Sequence, residues 1–134
     1  MARRLKARRS AGFTLLEMMI VMIIIGVLMS IALPIYNQSL RRSREAVLRQ
    51  DLFTLRSLIS QYTLDKQKAP QSLDDLVQGG YLKVIPKDPM TNEANWEVVQ
   101  EDVLLTVDQQ DPGISDVHSA SSEISTDGTA YNTW

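Results

Sequence analysis

Residues 13–35 are apolar except for Thr14, Glu17, Ser30 and the two helix breakers Gly26 and Pro34. No other feature so narrows what the chain can become. Built as a helix at about 1.5 Å per residue, the run spans roughly 34 Å, the thickness of one hydrocarbon core. The whole chain has 134 residues. About a hundred then remain for a folded part, too few to surround so apolar a rod. A membrane span therefore outweighs a buried helix of a soluble protein. Residues 1–12 carry Arg3, Arg4, Lys6, Arg8 and Arg9 and no acid, which places the N-terminus on the cytoplasmic side. Arg41, Arg42 and Arg44 oppose this from the other end, but fewer positive charges lie close to it.

An ordinary secretory signal is the competing reading. Ser30-Ile31-Ala32 passes for a small-x-small cut that would leave Leu33 at the new N-terminus. Such signals have an apolar core of about 7–15 residues. This run is longer, holds a carboxylate, and has nothing polar between it and the helical pattern that follows.

Glu17 decides between the two. A carboxylate in lipid costs on the order of 2.5–3.5 kcal/mol at the centre of a helix and somewhat less near an end, so it persists there because it is used. The local string is Gly12-Phe13-Thr14-Leu15-Leu16-Glu17, behind a short basic leader. This string resembles the class III signal of type IV pilins and type II secretion pseudopilins. The resemblance implies a cut by prepilin peptidase between Gly12 and Phe13, methylation of the new N-terminal Phe13, and pairing of Glu17 with a free N-terminus during filament assembly. Physics agrees with the last point. A cation and a carboxylate attract strongly in a low dielectric, whereas each alone is penalised there.

Beyond the apolar run one helix is expected to continue, with a kink or local melting at Pro34. Leu48, Leu52, Leu55, Ile59 and Tyr62 follow the steps of a helical stripe, which Phe53 and Leu58 widen. Arg41–Glu45 and Glu45–Arg49 are i, i+4 pairs expected on the opposite side. The helix should run to about Leu64, with Lys66 and Lys68 at its end and Pro70 beyond. The stripe reads as core packing.

Ser72-Leu73-Asp74-Asp75-Leu76-Val77 reads as a short helix, capped by Ser72 and ended by Gly79-Gly80. Pro86 and Pro89 force an extended or turning path. Residues 95–99 and 103–107 read as two strands joined by a tight turn at Gln100-Glu101-Asp102. The expected fold class is α+β: a long N-terminal spine helix, transmembrane then amphipathic, packed by a small antiparallel sheet. Three regions follow: a leader over 1–12, a transmembrane and assembly helix over 13–35, and an outer domain over 36–134.

Ser72-Leu73-Asp74-Asp75-Leu76, Gly80-Tyr81-Leu82 and Ile85-Pro86-Lys87-Asp88-Pro89 together resemble the major, G-type pseudopilins of type II secretion. Those proteins usually carry an aromatic and a Gly-Asn pair after Asp-Pro, where Met90-Thr91-Asn92 stands here.

The tail from Ile114 to Trp134 is polar, Ser-rich and acidic. Alone it has the composition of a disordered tail, but Tyr131 and Trp134 are expected to dock on the sheet and anchor its end. In G-type pseudopilins the matching region binds calcium. By resemblance the positions carried over are Asp116, Ser119 (through its carbonyl) and Asp127, and Glu123 is a further carboxylate nearby. It is not an EF-hand. Read from Asp116, Ser121 stands where that loop's glycine belongs and Asp127 where its bidentate glutamate belongs. A calcium loop and a solvated acidic loop both remain open.

Composition limits the chemistry. The chain has no cysteine and one histidine, which removes disulfides, thiolate sites and the common His-rich metal sites. His118-Ser119 with Asp116 lacks the glycine elbow of a nucleophilic hydrolase, and neighbours on a loop seldom form a triad. Residues 70–134 hold two basic and twelve acidic side chains, net −10, which repels nucleic acid. No enzymatic activity is expected. The resemblance implies a pseudopilus subunit of the inner membrane with a periplasmic domain. It forms a homopolymer on an inner-membrane secretion platform with minor pseudopilins, and lies in membrane lipid before assembly. A type IV pilin-like subunit for adhesion, motility or DNA uptake is the first alternative. A membrane-tethered calcium-binding module that never polymerises is the second.

Overall fold

Thr14 starts the long helix. Its Oγ1 accepts the backbone N–H of Glu17 at 3.2 Å and its carbonyl accepts that of Met18 at 3.2 Å, the bonding of an N-cap. The computed structural model describes residues 12–101 and 112–134. Helix α1 then runs over Leu15–Lys66, 52 residues. It stays helical through Pro34; losing one backbone donor does not melt it there, because the ladder on either side survives. It also ends later than expected. Gln67 adopts a left-handed φ of 54° and its side-chain amide donates to the Leu64 carbonyl at 2.7 Å, which stops the helix just past Lys66.

The chain divides into two compact units, residues 1–38 and 39–134. The described part of the first is the apolar stretch of α1. Its best window has a mean hydropathy of 2.8 and is 0% buried.

In the second unit the outer turns of α1 carry the core. Leu48, Leu52, Leu55, Ile59 and Tyr62 are all buried, and Leu58 packs against them. Two expectations fail here. Phe53 is 67% exposed, because it falls outside the arc that faces the rest of the unit. Glu45 is 3% exposed and extends the buried stripe by one turn, on the core side and not opposite it.

Helix α2 covers Leu73–Gln78. Asp75 reaches back to accept the backbone N–H groups of Gln71 at 2.8 Å and Ser72 at 3.3 Å, and Leu76 is buried in the core. Gly80 takes a φ of 81°, so the chain can turn sharply into Tyr81. The Pro-Lys-Asp-Pro segment wraps around Asp88, which is fully buried and accepts the backbone N–H of Met90 at 2.8 Å. The indole of Trp96 donates to the Pro86 carbonyl at 2.8 Å.

The sheet has two antiparallel strands, β1 over Glu97–Glu101 and β2 over Gly113–His118. The expected turn at 100–102 is corrected: Gln100 and Glu101 continue β1 and pair with Ile114 and Gly113. The strand read over 103–107 lies outside the described residues. Strand β2 comes from the stretch read as a polar tail. Its register breaks between Val99 and Gln100, whose partners are Asp116 and Ile114, leaving Ser115 as the extra residue of a bulge. The bulge turns both Ile114 and Val117 inward, where each is buried. Gly113 is required by close approach: a Cβ there would lie 2.3 Å from the Ala69 Cβ, and the next residue, Ile114, donates to the Pro70 carbonyl at 2.8 Å.

Candidate functional site

Two groups of residues matter, and they belong to different units. At the start of α1, Gly12 and Phe13 precede the cap, and Phe13 is 80% exposed. A Cβ built on Gly12 would meet nothing within 4 Å, so no packing among the described residues demands glycine there. Glu17 occupies the third helical position, where the Thr14 cap bonds its backbone and the helix dipole favours its charge. Its side chain is exposed. The Thr-x-x-Glu spacing is itself a start signal, and the capping role of Thr14 is what sequence reading passed over.

The second group is the C-terminal segment, tied to α1 by charged side chains. The Glu45 carboxylate accepts three hydrogen bonds: from the Thr126 backbone at 2.8 Å, the Thr126 hydroxyl at 2.6 Å and the Tyr131 hydroxyl at 2.8 Å. Burial raises its proton affinity, but the Thr126 and Tyr131 bonds and the Arg49 charge together hold the carboxyl below its ordinary value. Arg49 pairs with Asp127 and lies 4.4 Å over the Trp134 ring. Arg56 donates to Asp116 at 2.6 Å, to the Val117 carbonyl at 3.0 Å and to the Trp134 carbonyl at 2.7 Å. Burial again opposes ionisation of Asp116, while the Val117 N–H, Arg56 and His118 outweigh it and lower its carboxyl. Tyr131 and Trp134 anchor the end as expected, edge to face at 5.2 Å, although the partners their polar groups and rings reach on α1 are Glu45 and Arg49.

The four residues expected to hold calcium are placed as follows. Asp116 faces Arg56 and Asp127 faces Arg49, on helix positions seven residues apart, about 10 Å along the axis. The Ser119 hydroxyl is buried and donates to Asp88. Glu123 is exposed. Among the described residues no three acidic or histidine side chains gather as a metal set. Calcium needs 6–8 oxygens at about 2.3–2.6 Å, and among the described residues Asp116 and Asp127 each lie against an arginine.

Comparison with known proteins bears on both groups. Residues 7–33 match the prokaryotic N-terminal methylation motif. The type II secretion system core protein G of Aeromonas hydrophila is 33% identical over 104 residues, 66% of this chain and 73% of the relative. That of Vibrio cholerae is 34% identical over 108 residues, 68% and 73% respectively. That of Escherichia coli K12 is 34% identical over 103 residues, 63% and 70%. No solved structure matches. With the methylation motif across the cap of α1, and relatives matched over most of their length, the chain belongs to the type II secretion system core protein G family.

Proposed function

We propose that this chain is the major structural subunit of a type II secretion pseudopilus. The supporting observation is the apolar half of α1, which is exposed along its whole window and carries Glu17 in its first turn. Such a helix is stable only in lipid or among sister helices. The basic residues 1–12 hold the N-terminus in the cytoplasm, and residues 39–134 stand in the periplasm. Prepilin peptidase cuts between Gly12 and Phe13. Methylation keeps the Phe13 amine cationic. In the filament that amine meets the Glu17 carboxylate of a neighbouring subunit, so each charge lowers the other's cost in a low dielectric. Exchange of lipid for sister helices then carries subunits from the inner membrane into a homopolymer, built on the secretion platform and joined by minor pseudopilins. Its growth pushes folded proteins outward. The relatives' shared name favours this reading over a type IV pilin-like subunit.

Mass spectrometry of the membrane-extracted protein tests the first step. The expected product begins at Phe13 and carries one methyl group. A native N-terminus at Leu33, or an uncut leader, overturns the reading.

A further inference from the structure

We infer that this chain fastens its C-terminal segment to α1 with its own charged side chains and takes no calcium there, the Glu45 carboxylate gathering donors where a calcium ion would gather acceptors. The inference concerns residues 39–134 alone and stands whether or not the chain polymerises.

An ion that orders a loop does so by drawing oxygens to one positive centre. In this segment the centre is negative. Glu45 is buried on the core side of α1, and its three bonds go to the two ends of the short stretch from Thr126 to Tyr131. Between those ends the backbone closes on itself. Ser125 N–H donates to the Thr129 carbonyl at 2.8 Å, Gly128 N–H to the Ser125 carbonyl at 3.1 Å, and Tyr131 N–H to the Glu123 carbonyl at 3.0 Å. Gly128, at a φ of 86°, lets this turn close without strain. The Ser125 hydroxyl oxygen accepts from the backbone of Asp127 at 3.2 Å and of Thr129 at 3.3 Å.

Two of the carboxylates that a cation would want are already engaged. Asp127 is paired with Arg49, and Asp116 with Arg56 and the Val117 N–H. Arg41 adds a third guanidinium, donating to the Ile124 carbonyl at 3.2 Å. Three cations from the same face of α1 as Glu45 therefore hold the segment beside it. A calcium ion at Asp116 or Asp127 would sit beside a guanidinium, and the like charges repel. The Ser119 hydroxyl donates to the buried Asp88. The acidic composition that suggests a metal loop is thus answered by arginines from the spine helix.

The test uses the full chain in detergent micelles, followed by the fluorescence of Trp96 and Trp134, both in the second unit. Unfolding midpoints are measured in millimolar calcium chloride, in magnesium chloride and in chelator, with calorimetric titration of calcium alongside. The expected result is equal midpoints in all three solutions and no saturable heat. Tyr131→Phe and Thr126→Val should each lower the midpoint by several degrees, equally with and without calcium, and Arg56→Gln should do the same. A midpoint several degrees higher in calcium than in chelator, or saturable calcium binding, overturns the inference. So does a wild-type midpoint in both Tyr131→Phe and Thr126→Val, since the Glu45 bonds would then hold nothing.

Discussion

Glu17 and Glu45 lie on the same helix, and only one of them was legible in the sequence. Glu17 stands alone in an apolar run, so its cost in lipid announces it. Glu45 has Arg41 and Arg49 four residues to either side, which reads as a solvated ladder; its true partners, Thr126 and Tyr131, are 81 and 86 residues away. Two predictions belong at this scale. Glu17→Leu removes a carboxylate that costs up to about 2.5–3.5 kcal/mol in lipid. The variant should insert and be cut normally, yet yield no fibres in sheared-cell preparations examined by electron microscopy. Gly113→Ala puts a Cβ 2.3 Å from that of Ala69. Overpacking of this kind costs about 1–3 kcal/mol, seen as a lower denaturant midpoint, and Ala69→Gly in the same chain should recover part of the loss.

At the scale of elements, α1 was readable because its stripe depends only on neighbours three and four residues apart. Its cap and its exit through Gln67 were set by single residues whose signal is weak. Strand β2 was not readable. Its buried residues Ile114 and Val117 are three apart, a spacing that fits neither strand alternation nor a four-residue run. Ser115, the bulged residue, is what makes the spacing work. Deleting Ser115 should therefore be far worse than changing it. Ser115→Ala loses one hydrogen bond, from its hydroxyl to the Val99 carbonyl at 3.2 Å, worth about 1 kcal/mol. The deletion turns Ile114 or Val117 outward and forfeits about 1.5–3 kcal/mol of burial for that side chain, besides breaking the register. Thermal unfolding of the two variants side by side reads the difference.

For the molecule as a whole, pH is the informative variable. Glu45 and Asp116 titrate below their ordinary values of 4.5 and 3.8 in the folded chain. A depressed acid stabilises the fold above its unfolded value, and that stability is lost as pH falls through the folded one. Asp51 has the opposite sign, since burial and the Asp88 charge raise it. Unfolding midpoints measured from about pH 7 to about pH 3 should hold level and then fall below the ordinary carboxylate range, and Glu45→Gln should flatten part of that fall. The clasp around Glu45 also has an order in time. Synthesis delivers Glu45 long before Thr126 and Tyr131, so the carboxylate stays hydrated until those residues are free. Contacts between such distant positions form late, after a long loop has closed. A copy interrupted before Thr126 keeps its spine but is left with a bare charge at the seam, and so Thr126 and Tyr131 certify that the clasp has closed.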